Sequence, residues 1–348
     1  MASCHCVLFV IIYNKKTSKM KIAIINSNAA ISVGGGVRLQ GIMWHDGLVK
    51  LGHKCDLINF WDENDWGSYD WIIILAYGEM FPVLVRWLAK INPNIAIAPI
   101  IDPQWSKPKF KFFFKYWGFK KHFGLSSQHH DFYLYGRNAK RYLVRSQQET
   151  EYLNECCDVD LEKIKKVPLS LRFDVANEMP DKENFCFHCS RLRAENKNVS
   201  RLIEAAKKYG FQLKLAGALH GEDDKAWLDS LTNGASNIEY VGMLSDEELI
   251  AYYKKCKVFA LPSLLEGVGM VALEAAAYGA EIVLTNIGAP KEYWDGHAEL
   301  VNPYNIDDIG KAIVKCLNKD LSQSLMLNFI RENYSLEACT RKLIKALE

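Results

Sequence analysis

Short apolar runs, each followed by a stretch with helical spacing, recur along the whole chain, and this rhythm constrains the fold more than any single motif. Met20–Asn26 is apolar, and Ser27–Gly36 is loop-like and ends in Gly34-Gly35-Gly36. A helical pattern then runs through Leu39, Ile42, Met43 and Leu48 to Gly52, and Cys55–Phe60 is strand-like again. Strand, glycine-rich loop, helix and strand in that order read as a βαβ unit. Further strands are predicted at Trp71–Ala76, Ile95–Ile101, Arg141–Val144 (followed by Ser146) and Ile164–Leu169.

The second half repeats the pattern. Strands are predicted at Phe185–Cys189, Gln212–Ala216, Ile238–Val241, Val258–Leu261 and Glu281–Thr285. Helices are predicted at Val199–Tyr209, 246–255, 269–278, 306–318 and 321–347. At roughly 150 residues per domain, 348 residues make two domains. Two successive αβ halves predict an α/β chain of two Rossmann-like domains facing a central cleft. The expected boundary falls near Arg172 to Lys182, a polar stretch containing Pro180. The expected divisions are 1–19, 20–172, 173–325 and a C-terminal helix, 326–348, packing back toward the first domain.

Composition removes several classes. A chain that is 49% hydrophobic and 24% charged is neither disordered, collagenous nor a disulfide-stapled mini-protein. The net charge of +2 gives no global reason to expect nucleic acid. That balance hides an asymmetry. Residues 1–174 hold 23 Lys and Arg against 16 Asp and Glu, whereas 175–348 hold 20 against 25. The first half is basic and the second acidic.

No run approaches the ~20 apolar residues that span a bilayer. Cys6–Tyr13 is too short for a signal peptide and has no basic residue before it. A cytoplasmic location is therefore expected, and Met20 is itself a suitable start, so residues 1–19 read as an extension without assigned role. The ten cysteines then read as reduced thiols. Cys186 and Cys189 have CxxC spacing, but no second CxxC answers them and they lie in a strand-like run.

The stretch richest in chemistry is Pro262-Ser-Leu-Leu-Glu-Gly-Val-Gly-Met-Val-Ala-Leu-Glu-Ala275. A buried strand ends at Pro262-Ser263, Glu266 follows in a loop, Gly267 and Gly269 open a helix, and Glu274 lies inside that helix. Glycines at a strand-to-helix turn admit an anion to backbone N–H groups at the helix N-terminus. Two carboxylates there would repel a phosphate, but they suit the hydroxyls of a sugar.

This stretch resembles the E-x7-E signature of retaining glycosyltransferases with the GT-B fold, in particular family 4 (glycosyl transferases group 1). The resemblance implies that Glu266 contacts donor-sugar hydroxyls and Glu274 the nucleotide ribose. It also implies that Gly267, Val268, Gly269 and Met270 line the donor site. Ser190-Arg-Leu-Arg-Ala-Glu-Asn-Lys197 is similar to the family's second motif, in which Arg191 and Lys197 hold the donor diphosphate; Ser190 stands where a glycine is usual. Fixed cations are what a departing nucleoside diphosphate needs. Leu215-Ala-Gly217 resembles the glycine that ends the next strand. Tyr240-Val-Gly-Met243 resembles the segment whose backbone, at Gly242 and Met243, faces the base. Gly35 and Gly36 resemble the glycine pair facing the donor phosphate.

Many relatives carry a His after the strand matching Ile95–Ile101, and here the next residue is Asp102. A carboxylate there suits an acceptor hydroxyl or a loop cap before Pro103. His129 and His130 read as an exposed loop pair. Asp158-Val-Asp160 has a D-x-D form, but it precedes Lys163 in a linker loop, and the resemblance implies no metal and no cofactor. Retention without an evident nucleophile implies a front-face displacement in which the departing phosphate takes the acceptor proton.

From Pro103 to His130 there is no Asp or Glu. Lys107, Lys109, Lys111, Lys115, Lys120 and Lys121 alternate with Trp105, Phe110, Phe112, Phe113, Phe114, Tyr116, Trp117, Phe119 and Phe123. Such a pattern suits an anionic membrane surface met by residues 105–123, or a helix with buried aromatics and solvated lysines.

The leading expectation is transfer of a sugar from a UDP- or GDP-sugar to a glycan or lipid-linked acceptor in cell-surface polysaccharide or lipopolysaccharide synthesis. An inactive GT-B binding subunit and a GT-B relative such as a sugar-nucleotide epimerase stay open.

Overall fold

The computed structural model describes residues 19–26, 36–59, 61–78, 80–101, 105–117, 127–294, 296–319 and 323–348. Gly35, Asp102, Cys4, Cys6, residues 1–18 and the aromatic-basic residues beyond Trp117 (Phe119, Lys120, Lys121 and Phe123) lie outside the described residues.

The first half runs β1 (Lys21–Ile25), α1 (Gly36–Lys50), β2 (Lys54–Leu57), β3 (Trp71–Leu75), α2 (Phe81–Leu88) and β4 (Ile95–Ala98). It continues with α3 (Lys107–Lys115), α4 (Gln128–Tyr135), β5 (Arg141–Val144), α5 (Gln147–Cys157) and β6 (Ile164–Lys166). Its six strands are all parallel, in the order β2-β1-β3-β4-β5-β6.

The second half runs β7 (Glu183–Cys189), α6 (Val199–Tyr209), β8 (Leu213–Ala216), α7 (Gly221–Thr232), β9 (Ile238–Gly242) and α8 (Asp246–Lys255). Then come β10 (Cys256–Leu261), α9 (Met270–Ala277), β11 (Glu281–Thr285), α10 (Ala289–Trp294), β12 (Glu299–Val301), α11 (Ile306–Asn318), α12 (Gln323–Tyr334) and α13 (Leu336–Leu347). Its six parallel strands are ordered β12-β11-β10-β7-β8-β9.

Both sheets are covered on two sides, which explains why their strands are apolar without alternation. In β1, Ile22 and Ile24 enter one core while Ala23 and Ile25 enter the other. In β7, Phe185 and Phe187 face one core and Cys186 the opposite one. Cys189 packs with the Phe187 side, so the two sulfurs of the CxxC sit on opposite faces and cannot share one ion.

One long helix was expected over 321–347, and the structure has two. Ser335 breaks the run: its side chain accepts a bond from Ala338 N and caps α13. The break turns α13 back onto the first half, where Leu343, Ile344, Ala346 and Leu347 join Ile22, Trp44 and Leu48 in one core. Gly47 of α1 allows this approach, because a Cβ there would overlap Thr340 Oγ1.

The His129–His130 pair is not a loop. Both lie in α4, where Tyr77 OH and His129 Nδ1 are 3.0 Å apart and His130 Nδ1 donates to Phe114 O at 2.9 Å.

Candidate functional site

Each sheet has one place where the chain reverses its direction of growth, and ligands of open α/β sheets bind outside the strand C-termini there. In the first sheet it lies between β1 and β3; in the second, between β7 and β10. The segment after β1 leads to Gly36. The segments after β7 and β10 carry Arg191–Lys197 and Pro262–Met270. The predicted motifs therefore meet for a topological reason.

The loops after β7 and β10 are stitched together. Asn198 is left-handed at φ 59°, and its Nδ2 donates to Pro262 O at 2.9 Å and to Pro303 O at 2.7 Å. Leu264 N donates to Asn196 O at 2.8 Å, and Asn196 Nδ2 to Leu265 O at 3.3 Å. This places Lys197 beside Glu266: Lys197 Nζ donates to Glu266 Oε2 at 2.7 Å, and Ser263 Oγ donates to the same oxygen at 3.0 Å. Arg191 lies at the surface of the same loop. Gly217, left-handed at φ 144°, packs on that loop so closely that a Cβ would overlap Ser190 O. Ser190 itself has a use that glycine would lack, because its hydroxyl lies 2.7 Å from Nε2 of the buried His188.

Between the halves is a cavity of about 350 Å³. Gly36, Val37 and Gln40 of α1 form one wall, and Lys197, Glu266 and Gly267–Val271 face them. Gly269 is left-handed at φ 75° and starts α9. An adjoining chamber reaches past Glu266 to Ser146, Gln148 and Gly288.

Arg145 borders both spaces and was not singled out from the sequence. Its Nη2 donates to Glu149 Oε1 at 2.6 Å, and Glu149 Oε1 also accepts from Ile101 N at 2.7 Å. The pair holds the chain where Ile100 is left-handed at φ 56°, a strained state for a β-branched residue. An arginine after a strand followed by Ser146 was the available signal, and it belongs to no motif.

Two expectations shift. Glu274 does not line the cavity. It is 1% exposed, and Arg172 of the inter-domain linker takes both its oxygens, Nε to Oε1 at 2.6 Å and Nη2 to Oε2 at 3.1 Å. Tyr253 OH adds a bond to Oε2 at 3.1 Å, and burial pushes the carboxyl upward despite these partners. The likeness of the helix pattern could not disclose a cation arriving from a different segment. Gly242 and Met243 end β9 outside the cavity, and the Met243 side chain is 78% exposed.

Asp158 of the D-x-D accepts from Lys115 Nζ at 2.6 Å and Tyr133 OH at 3.1 Å, which hold its carboxyl below the ordinary range. Among the described residues no cluster of three or more His, Cys, Asp or Glu is arranged to hold a metal ion.

A family profile for glycosyl transferases group 1 matches residues 172–335. The chain is 31% identical over 122 residues, 34% of its length, to serotype-specific mannosyltransferase WbdA of Escherichia coli, and the match covers 15% of that protein. O-antigen chain mannosyltransferase B of the same organism is 27% identical over 161 residues, covering 43% of this chain and 42% of that protein. The chain thus spans less than half the length of these curated relatives. Sucrose-phosphate synthase of Thermosynechococcus elongatus shares the fold, with TM-score 0.68 at 16% identity over 93% of this chain and 97% of that one. Anabaena Alr3699/HepE, solved with UDP and glucose, gives 0.66 at 15% identity, over 94% and 99%. The β7–β12 half and the β1–β6 half together make the GT-B fold.

Proposed function

We propose that the chain transfers a sugar from a nucleotide-sugar to a glycan or lipid-linked acceptor in cell-surface polysaccharide synthesis. One observation carries the reading: Lys197 and Glu266, from separate loops, meet at 2.7 Å on a cavity walled by both domains. The pair offers what the donor presents, a cation for the diphosphate and a carboxylate for sugar hydroxyls. Both bonds to Glu266 fall on Oε2, which leaves Oε1 for a hydroxyl.

In the proposed reaction the bond from anomeric carbon to phosphate oxygen breaks and a bond to the acceptor oxygen forms on the same face. The acceptor proton passes to the departing phosphate. Lys197, Arg191 and the N-terminus of α9 stabilise the charge that develops there. No metal and no covalent enzyme intermediate is required. Asp102 is proposed at the acceptor, following the strand whose end Arg145 and Glu149 hold. Gly35, Gly36, Gly242 and Met243 are proposed to meet the donor through their backbones once it is bound, and Glu274 to meet the ribose after Arg172 yields an oxygen.

Mannosyl transfer is the first candidate, since relatives named mannosyltransferases match part of the chain. The Anabaena protein was solved with UDP, so both UDP- and GDP-sugars remain to be compared.

A cytoplasmic position against an anionic membrane face is proposed from α3. Phe112, Tyr116 and Trp117 are exposed beside Lys109 and Lys111, while Lys107 turns to Glu151 and Glu155, and Lys115 to Asp158. Among the described residues no helix is long and apolar enough to cross a membrane. Flotation with anionic vesicles checks this part, and salt-insensitive or absent binding removes it.

Nucleotide release from UDP-, GDP- and ADP-sugars, with proton NMR of the product anomer and chelator controls, tests the whole reading. Equal release by wild type and Glu266→Ala, or none by either, overturns it. An inverted anomer overturns retention alone.

A further inference from the structure

Gln40 is buried in α1, one turn from its start, and is 2% exposed. Its Nε2 has no hydrogen-bond partner among the described residues. Unmade bonds of this kind are rare, because a buried amide loses its water and gains nothing in exchange. Other buried polar atoms also lack a partner, among them Arg141 Nε and Trp294 Nε1, but neither residue borders the cleft cavity, whereas Gln40 does.

The surroundings say what the amide is for. A carboxamide nitrogen only donates, so its missing partner is an acceptor. The facing wall carries the Lys197 ammonium. The N-terminal ends of α1, at Gly36, and of α9, at Met270, both border the same space. The Met270 side chain spans from one wall to the other: a Cβ on Gly36 would lie 3.7 Å from Met270 Cε. Helix N-termini carry partial positive charge. Amide, ammonium and two helix ends thus converge, and only an anion accepts from all of them. Among the described residues Glu266 is the one carboxylate on the cavity, and Lys197 already holds it.

We propose that Gln40 Nε2 donates to a non-bridging oxygen of the terminal phosphate of a nucleoside diphosphate bound in this cavity. The inference rests on the glycosyl-transfer reading and adds to it a first-domain side chain that reads the phosphate joined to the sugar. No bond of the substrate is made or broken at Gln40, which holds the phosphate against the second domain. Its unmet bond is the counterpart of that role.

Calorimetric titration of the full chain with UDP, GDP and ADP, for wild type, Gln40→Met and Gln40→Glu, tests it. Methionine keeps the length and removes the donor; glutamate adds a repelling charge. Wild type is expected to bind at least one nucleotide. Gln40→Met should bind it about tenfold to a hundredfold more weakly, the range for one hydrogen bond to a charged group. Gln40→Glu should bind more weakly still. Without nucleotide, Gln40→Met should melt at or above the wild-type temperature, since it removes an unsatisfied group. Equal affinity of Gln40→Met and wild type overturns the role of Gln40 and leaves the transfer reading standing. A marked fall in the nucleotide-free melting temperature of Gln40→Met shows a structural role and overturns it too. If wild type binds none of the three nucleotides, the transfer reading falls and this inference with it.

Discussion

Arg172 grips Glu274 with two bonds, at 2.6 and 3.1 Å, and so fastens the linker between the domains to the helix that carries the second glutamate of the signature. The guanidinium also reaches Asp246 at 3.0 Å, at the start of α8. Removing one partner of a buried pair leaves the other charge stranded, which costs about 3–5 kcal/mol. Arg172→Ala should therefore lower the unfolding free energy measured by urea titration by that order. Adding Glu274→Gln to Arg172→Ala should restore much of the loss. If the double variant is as unstable as the sum of the singles, the pair is not what holds the linker.

Lys197 and Glu266 should fail in different ways. Lys197→Ala removes a charge aimed at the leaving group, and kcat should fall about 10²–10³-fold with little change in melting temperature. Lys197→Arg should recover part of it. Glu266→Gln keeps the size and one acceptor oxygen, so it should retain more activity than Glu266→Ala. Steady-state kinetics with the best donor of the panel decides both.

His188 gives the fold a pH response. It is fully buried, its Nδ1 donates to Ala260 O at 2.8 Å, and burial brings its pKa down to about 4. The unfolded chain would bind a proton near pH 6.5 while the folded chain stays neutral. Stability is then whole above pH 6.5 and falls as the pH drops toward 4, by about 3 kcal/mol in all. Urea midpoints at pH 7.5, 6, 5 and 4.5 measure the slope. In His188→Asn the slope over that range should flatten; an unchanged slope would assign it elsewhere.

Gly217 should tolerate no side chain. Alanine there meets both a left-handed backbone and the Ser190 carbonyl, and strain of this kind costs about 1–3 kcal/mol. Because Ser190 precedes Arg191, Gly217→Ala should weaken nucleotide binding as well as stability. A variant that loses stability but keeps wild-type affinity at a permissive temperature would show that Arg191 is set independently of this contact.

The sequence was most legible where chemistry depends on chain neighbours. Lys197, Glu266 and Gly267–Met270 share two short loops, and the strands that end in those loops are apolar enough to stand out. The helices Val199–Tyr209, Asp246–Lys255 and Ile306–Asn318 fall where the spacing put them, because each has an apolar stripe facing one core. What stayed hidden depends on distant segments. The grip of Arg172 on Glu274 crosses 102 positions, and the Tyr293 hydroxyl bridges the halves by donating to Arg145 O at 2.8 Å, 148 positions away. Gln40 was concealed for another reason: a lone glutamine in a helix pattern looks like a surface residue until the wall opposite it is known. The break at Ser335 was lost inside an amphipathic run that continues on both sides of it.

The helix Leu336–Leu347 covers a face of the β1–β6 sheet, yet it leaves the ribosome only after the entire β7–β12 half has been made. The first-born half must therefore wait with Ile22, Trp44 and Leu48 uncovered while the second half emerges. A premature stop before Leu336 would therefore strip the first half of Leu343, Ile344, Ala346 and Leu347, leaving it as unfinished as the last.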